Sequence, residues 1–176
     1  MTLRGVARAV GVAAPSIYLH FENRETLLVA ALAHRFAQFG RSITSALASA
    51  RTPAGRLRAG CRAYCQFAID RPATYEVLFS GQAHRAVEAL GDNVGLETFT
   101  PLVEAISNAI NADVARPGDP FEVARRTWTG LHGMSTLRTS LPDFPWNPLD
   151  EALDDLLHDV VGLDKHTNKR NVPNKR

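Results

Sequence analysis

The sequence has little of what would mark a secreted or a membrane protein. It contains two cysteines, Cys61 and Cys65, which are too few for a disulfide framework. No stretch approaches the roughly 18 consecutive apolar residues of a membrane span. Arg4 and Arg8 interrupt the N-terminal segment before the apolar part of a secretory signal can form. We therefore expect a soluble, cytoplasmic protein without membrane contact.

Patterns of catalytic residues are missing as well. There is no glycine-rich phosphate loop, no G-x-S-x-G motif and no H-E-x-x-H motif. Cys61 and Cys65 are one helical turn apart, but no cluster of further Cys or His residues completes a four-ligand metal site. We predict that both cysteines are small core residues, and that the protein is not an enzyme and uses no metal or other cofactor.

What the sequence does contain is apolar residues at helical spacing. No alternating or β-branched run predicts a strand, so the expected fold class is all-α. Thr2 and Gly11 suit the two ends of a first short helix, Pro15 suits the first turn of a second, and Asn23 suits the N-cap of a long third helix that continues towards Ala50. The predicted inner faces are Leu3, Val6, Ala7 and Val10 for the first helix, and Leu28, Leu32, Phe36, Phe39, Ile43 and Leu47 for the third.

Later segments continue the helical pattern, with proline-containing breaks between them. We predict helices over residues 53–71, 72–79, 96–114, 121–140 and 150–163. The predicted inner face of the first of these is Leu57, Cys61, Tyr64, Cys65 and Ala68. Pro101 is expected to be a boundary or a kink, and residues 81–95 are ambiguous because of Gly91 and Gly95. One polar face of the last helix, with Asp154, Asp155 and Asp159, is expected to be solvated.

Charge is distributed unevenly along the chain. Residues 1–41 carry a net charge of +3, residues 42–164 carry −6 and residues 165–176 carry +5. We interpret 1–41 as a DNA-contacting head with the start of a connecting helix, 42–164 as a helical regulatory domain, and 165–176 as a disordered basic tail. An accident of small counts would give the same numbers, so charge alone does not decide the interpretation.

The first two helices and the turn at Gly11 form a helix-turn-helix pattern. The segment TLRGVARAVGVAAPSIYLHFENRETLLVAAL, residues 2–32, contains YLHFENRETL at 18–27. It resembles the DNA-binding signature of tetracycline-repressor-like transcriptional regulators, in which Tyr-x-His-Phe-x-x-Lys-Glu-x-Leu follows the turn. Arg24 stands where the family usually has Lys, and since both are cations we expect phosphate binding to be retained.

The resemblance implies that the head reads base pairs. Ala14 and Ser16 would lie at the first turn of the recognition helix, where base edges are read in the major groove. Arg4, on the preceding helix, would reach a guanine. Taken singly, Tyr18 and Phe21 are better interpreted as core aromatics, and His20 as a helix-end cation favoured by the helix dipole. The spaced set of matches favours the functional interpretation.

Phosphate contacts are implied in the same way. Tyr18, His20 and Arg24 match positions that hold phosphates in this family, and Thr2 would donate a hydrogen bond to a phosphate at a helix start. These contacts position the head on a duplex more than they specify its sequence.

Packing of the head is expected to depend on two features. Val12, Ile17 and Phe21 would be buried between the two short helices. Complete family members have another helix of roughly twenty residues before the position of Thr2, and without it the inner face of the first helix would lack cover. An alternative is therefore a helical ligand-binding or scaffolding protein that does not bind DNA.

A second resemblance lies in TWTGLHGM, residues 127–134, which is similar to the Trp-x-x-x-His-Gly segment of one C-terminal class of these regulators. Trp128 and His132 fall on one helix face, and Gly133 would let another helix approach closely. We interpret the segment as a helix-packing motif with a hydrogen-bonded core histidine rather than as a ligand site. The resemblance also implies a homodimer in which the last two helices form a four-helix bundle.

The middle helices would hold the site for an effector. Their aromatic residues suit a cavity for a small and largely apolar molecule. The predicted lining is Tyr64, Phe67, Tyr75, Phe79, His84, Phe99 and Trp128. An ordinary aromatic core is an equally good interpretation of these residues. In the first interpretation, the effector changes the tilt of the long helix and the spacing of the two heads, so that the dimer leaves a palindromic operator.

Overall fold

The computed structural model describes residues 2–81, 83 and 94–165, and all regular structure within these residues is helical. The helices are α1 Leu3–Val10, α2 Ala14–Tyr18, α3 Arg24–Ser49, α4 Pro53–Asp70, α5 Pro72–Leu78, α6 Val94–Asn111, α7 Pro120–Ser140 and α8 Leu149–Val161. The all-α prediction is confirmed. Most of the ambiguous segment 81–95, and the predicted disordered tail beyond Lys165, lie outside the described residues.

Capping groups explain where the first helices begin and end. Thr2 Oγ1 accepts a hydrogen bond from Gly5 N at 3.2 Å, and Gly11 follows α1 in the left-handed conformation with φ 74°. At the start of α3, Asn23 Oδ1 accepts from Thr26 N at 2.9 Å, and Thr26 Oγ1 accepts from Asn23 N at 3.3 Å. The predicted caps Thr2, Gly11 and Asn23 are confirmed.

A small cluster of its own holds the head together. Leu3, Ala7 and Ile17 are buried against one another, with Phe21 and Leu27 packed at the edge. The expectation that the inner face of α1 lacks cover is therefore wrong for Leu3 and Ala7, because α2 supplies it. It holds for Val10, which is 63% exposed.

Val12 corrects another expectation for the head. Its side chain is 45% exposed instead of buried between α1 and α2. Val12 follows Gly11, whose left-handed conformation turns the chain out of α1, and Val12 N donates to Ala7 O at 3.0 Å to close that turn. The backbone of Val12 is thus used in the turn, while its side chain points to solvent.

The main core surrounds α4, which packs against α3, α5, α6, α7 and α8. The predicted inner face of α4 is confirmed by the burial of Leu57, Cys61, Tyr64, Cys65 and Ala68. The predicted inner face of α3 is also confirmed, since Leu32, Phe36, Phe39 and Ile43 are buried, and Leu28 and Leu47 pack at the edge of the same core. Leu27 belongs to the head cluster and Leu28 to the main core, so α3 links the two clusters.

Pro101 does not divide the sixth helix. It lies inside α6, which is assigned as one helix over Val94–Asn111, so the predicted boundary is wrong. The carbonyl that loses its helical partner belongs to exposed Glu97, where water can satisfy it. Leu102 and Ile106 pack into the main core after the proline, and this tertiary packing outweighs the local cost.

The close helix approach predicted at Gly133 occurs one turn earlier. Among the described residues, a Cβ at Gly133 would meet no atom within 4 Å, whereas a Cβ at Gly130 would lie 2.5 Å from Leu156 Cδ1 of α8. Both glycines lie on α7, but only Gly130 lies on the side that faces α8. The prediction for Gly133 is therefore wrong, and Gly130 is the glycine that the α7–α8 contact requires.

The acidic face of α8 is only partly solvated. Asp155 and Asp159 are exposed, but Asp154 pairs with Arg58 of α4, with 2.8 Å between Asp154 Oδ1 and Arg58 Nε. Their side chains are only 18% exposed for Arg58 and 19% for Asp154, so the expectation for Asp154 is wrong. The reason is that α8 packs on α4, which brings one edge of its polar face against Arg58.

Across the residues that the structure describes, none of the helices combines the length and the apolar character needed to cross a bilayer.

Candidate functional site

The head presents most of the predicted DNA contacts to solvent. The predicted contact residues that are exposed are Thr2, Arg4, Ser16, Tyr18, His20 and Arg24. They come from the cap and body of α1, from α2 and the turn after it, and from the first position of α3. Ala14 differs from them because it is half-buried and packs against the head cluster. Its side chain therefore mainly supports the packing of α2 on α1.

A cavity of about 640 Å³ lies in the body. Its wall consists mainly of aliphatic and aromatic side chains, a composition typical of sites for small apolar molecules. Two aromatic pairs form part of it: the Phe99 ring packs edge-on against Phe121 at 5.4 Å and against Trp128 at 6.2 Å. Another part of the wall is formed by Phe36, Phe39, Ile43 and Leu47 of α3.

The cavity brings together some of the predicted lining residues and not others. Tyr64, Phe79, Phe99 and Trp128 line it. Phe67 and Tyr75 are buried but do not line it. The Phe67 ring packs edge-on against Phe39, with the guanidinium of Arg71 5.1 Å from the centre of the Phe67 ring, and Tyr75 packs against Phe79. His84 lies outside the described residues.

Most of the wall was missed by sequence reasoning, and the α3 residues and Arg125 are the parts that bear on function. The α3 residues have the helical spacing of an inner face, but that spacing is the same for a cavity wall and for a filled core. Arg125 was also missed, because a charged residue on a helix is expected to belong to a solvated face. The signal that could have found it is its spacing from Phe121 and Trp128, four residues after the first and three before the second on one face of α7.

Next to Phe79 lies a hydrogen-bonded chain of four side chains. Trp128 Nε1 can only donate, and it donates to Tyr64 Oη at 3.2 Å. Tyr64 Oη lies 2.9 Å from Tyr75 Oη, which lies 2.6 Å from His132 Nδ1. With each hydroxyl donating onwards, the chain ends at Nδ1 of a neutral His132. The prediction that His132 is hydrogen-bonded is confirmed, but its side chain is half-buried at the edge of the core rather than inside it.

Burial shifts the pKa values of three of these four hydrogen-bonded side chains. Desolvation raises the pKa of Tyr75 to about 12, although hydrogen bonds from neighbouring side chains oppose the shift. Desolvation also raises the pKa of Tyr64, with a further contribution from nearby Tyr75. It lowers the pKa of His132, because burial disfavours the imidazolium. All three side chains are therefore held neutral near pH 7.

The lowered pKa of His132 predicts a pH dependence of stability. An unfolded histidine titrates near pH 6.5, so below that pH the unfolded state binds the proton more readily than the folded state. The contribution of neutral His132 is complete above pH 6.5 and is lost as the pH falls through and below that value. We expect the free energy of unfolding of the wild type to decline as the pH falls below 6.5, and that of His132→Gln to decline less, in urea titrations at each pH.

His34→Gln is the matched control for this pH dependence, because it changes a histidine of α3 that does not belong to the hydrogen-bonded chain. Its stability curve should follow the wild type across the same pH range. A His132→Gln curve parallel to that of the wild type would contradict the prediction.

The two cysteines contribute packing rather than chemistry. Cys61 and Cys65 are unpaired and buried in α4, as predicted. Desolvation raises the pKa of both thiols, so the reactive thiolate form is disfavoured.

Two family models match the sequence. Residues 1–31 match the model for bacterial regulatory proteins of the tetR family, and residues 57–161, more than half of the chain, match the model for the tetracyclin repressor-like C-terminal domain. The chain belongs to the tetracycline-repressor family. It is accordingly a DNA-binding transcriptional regulator and not an enzyme. The motif at residues 18–27 and the segment at residues 127–134, which carried the two resemblances, lie within the two matched ranges.

Solved structures share the fold of this tetracycline-repressor family member. A protein of unknown function from Rhodococcus sp. RHA1 is 24% identical, with a TM-score of 0.74 over 91% of this chain and 84% of its own. The TetR family transcriptional regulator PfmR from Thermus thermophilus is 16% identical, with a TM-score of 0.69 over 91% and 87%. The ketosteroid transcriptional regulator KstR2 of Mycobacterium tuberculosis is 18% identical, with a TM-score of 0.65 over 92% and 85%. No curated protein matches the sequence.

Proposed function

We propose that this family member is a ligand-responsive repressor, a cytoplasmic homodimer that leaves a palindromic operator when a largely apolar effector fills the cavity of about 640 Å³. The observation that carries the proposal is the course of α3. This helix begins beside the head cluster with Leu27 and supplies part of the cavity wall with Phe36, Phe39, Ile43 and Leu47. A molecule in the cavity therefore contacts the helix that carries the head.

The proposed DNA contacts divide into two kinds. Arg4 and Ser16 would reach base edges in the major groove, with Ala14 setting the position of the recognition helix. Tyr18, His20 and Arg24 would contact phosphates. Thr2 Oγ1 already accepts from Gly5 N, which leaves its hydroxyl hydrogen to donate to a phosphate oxygen.

Exposure of the head supports this assignment. Tyr18 is 50% exposed, and the side chains of Arg4 and Arg24 are also on the surface. The hydrogen bonds that cap α1 and α3 use Thr2, Asn23 and backbone groups rather than these side chains. Contact with DNA would therefore leave the caps of the head intact.

Dimerisation is proposed through α7 and α8. The apolar stripe of α8 has two parts: Leu153, Leu157 and Val161 are buried in the main core, whereas Ala152, Leu156 and Val160 are only half-buried. The second set repeats every fourth residue, the spacing of a face that packs on another helix. Leu156 of this set already contacts Gly130 of α7, and the rest of its surface is uncovered. At the end of α7, Leu137 is 48% exposed. These half-covered positions are suited to a four-helix bundle between two copies.

Ligand response follows from the geometry of two heads on one duplex. The recognition helices of a dimer must enter successive major grooves about 34–36 Å apart. An effector that binds better to one tilt of α3 than to another shifts the population towards that tilt. The proposed division into residues 1–41, 42–164 and 165–176 describes the head, the effector and dimer domain, and a basic tail that would add to the attraction for DNA.

The test is the salt dependence of duplex binding, measured without any effector. A fluorescein-labelled duplex of random sequence is titrated with the protein at about 50 mM and about 200 mM NaCl, and fluorescence anisotropy is recorded. A dimer with about six to ten phosphate contacts should lose affinity by about 10³–10⁵ between the two salt concentrations. Absence of binding at the lower salt concentration would contradict the proposal and favour the alternative of a helical ligand-binding or scaffolding protein.

A further inference from the structure

One charged residue lines the wall of the cavity as far as the structure describes it. Arg125 of α7 contributes to the wall, and its side chain is 58% exposed, so it lies where the cavity meets solvent. Phe121 and Trp128, which line the wall on the same face of α7, are 47% and 38% exposed. Two large aromatic rings and a guanidinium therefore lie at the opening, and part of the apolar surface of the rings is left uncovered.

The guanidinium has spare hydrogen-bonding capacity. One nitrogen, Nη2, donates to Glu122 Oε2 at 2.6 Å. A guanidinium has five N–H groups arranged as a fork that matches a carboxylate, and this bond uses one of them. The carboxylate of Glu122 thus balances the charge of Arg125. The contact also shows that the guanidinium of Arg125 can bind a carboxylate in this position.

Other polar groups of the described wall are already engaged. Ser80 Oγ donates to Val77 O at 2.8 Å and accepts from Ala83 N at 3.2 Å. Tyr64 Oη takes part in the hydrogen-bonded chain with Trp128, Tyr75 and His132. Thr98 has a partner as well. A ligand that required several hydrogen bonds deep inside would have to compete with these contacts, whereas an ionic contact at Arg125 breaks none of them.

We propose that the cavity takes an amphipathic carboxylate, with its apolar body inside and its carboxylate at the opening against Arg125. The proposal rests on the proposed function, in which this cavity is the effector site, and names the class of molecule that it accepts. The apolar wall supplies most of the binding free energy through burial of the ligand body. Arg125 selects the end group, because a guanidinium attracts an anion, tolerates a neutral group and repels a cation.

Three probes with one tail separate these contributions: dodecanoate, 1-dodecanol and dodecylamine, each used below its aggregation limit. The sequence has two tryptophans, so a Trp146→Phe background leaves Trp128 in the cavity wall as the sole reporter. Titrations near neutral pH that follow its fluorescence should give the order dodecanoate, dodecanol, dodecylamine, with dodecanoate about tenfold tighter than dodecanol. The preference for dodecanoate should shrink as NaCl is raised.

Substitutions on α7 assign the preference to Arg125. Arg125→Gln should abolish the preference for dodecanoate over dodecanol while leaving dodecanol unchanged, and the remaining carboxylate of Glu122 disfavours dodecanoate further. Glu122→Gln should strengthen dodecanoate binding, because it removes the competing carboxylate. Arg126→Gln is the matched control, since Arg126 is an exposed neighbour that does not line the cavity, and it should retain the wild-type preference.

Two results would overturn the proposal. One is equal affinity of dodecanoate and dodecanol for the wild type, or a preference that survives in Arg125→Gln; both would show that Arg125 does not select the end group. The other is the absence of a fluorescence response to all three probes. The salt-dependence test of DNA binding uses no effector. Failure of the proposed function in that test can therefore be distinguished from failure of the carboxylate proposal in these titrations.

Discussion

Phe39→Ala is expected to lower the free energy of unfolding by about 3–5 kcal/mol. Phe39 is 1% exposed, and its ring packs edge-on against Tyr64 at 5.1 Å, Phe67 at 5.0 Å and Phe79 at 5.8 Å. Truncation removes these aromatic contacts and leaves a void beside the cavity, which the surrounding helices cannot fill without moving. Urea denaturation followed by far-ultraviolet circular dichroism measures the loss.

Phe121→Ala is the matched control for this substitution. Phe121 also lines the cavity, but it is 47% exposed and packs edge-on against Phe99. Its truncation should cost about 1 kcal/mol or less, since less of its surface is withdrawn from water. Equal losses for the two variants would contradict the claim that Phe39 of α3 is packed more deeply in the core than Phe121.

The second large effect concerns the specificity of DNA binding. Arg4→Ala is expected to lower the preference for one base pair of the operator half-site by about 1–3 kcal/mol, because a bidentate contact to guanine is lost. Arg24→Ala is expected to weaken binding to all sequences alike and to reduce the salt slope, because a phosphate contact is lost. Competition titrations with duplexes that differ at single positions, repeated at several salt concentrations, separate the two effects.

A control outside the head tests whether position matters rather than charge. Arg51 is exposed just after α3, at the end of that helix remote in sequence from the head. Arg51→Ala removes the same charge and should leave both the base preference and the salt slope near wild type. Equal losses on specific and random duplexes for Arg4→Ala and Arg24→Ala would contradict the proposed division of roles.

Local signals in the sequence were sufficient for the helices of the head and for the inner faces of α3 and α4. Thr2, Gly11 and Asn23 each act on backbone groups within three or four residues, so their roles do not depend on distant parts of the chain. Val12 is a local exception, since the turn at Gly11 exposes its side chain; other errors occur where distant contacts decide the outcome. Pro101 stays inside α6 because Leu102 and Ile106 pack into the core, and Gly130 rather than Gly133 faces α8 because of the orientation of α7.

The cavity shows the limit of sequence reasoning more clearly. Aromatic residues in the middle helices were predicted to line it, and Tyr64 and Phe79 do, but Tyr75 packs against them without reaching the wall. Helical spacing identifies which side of a helix faces inwards, but not whether the facing side chains meet or leave space between them. That depends on side-chain volumes summed over several helices. Arg125 is the opposite kind of error: it is a charged residue on an exposed helix face, yet it lines the cavity.

The most direct test of the central claim is a selection from a pool of random duplexes. The account requires α1 and α2, with their exposed Arg4 and Ser16, to read DNA as a pair of heads on a dimer. Several rounds of binding and amplification should enrich an inverted repeat whose half-sites lie about one helical turn, roughly 10–10.5 base pairs, or a multiple of it apart. Enrichment of no sequence, or of a single half-site without symmetry, would contradict the account.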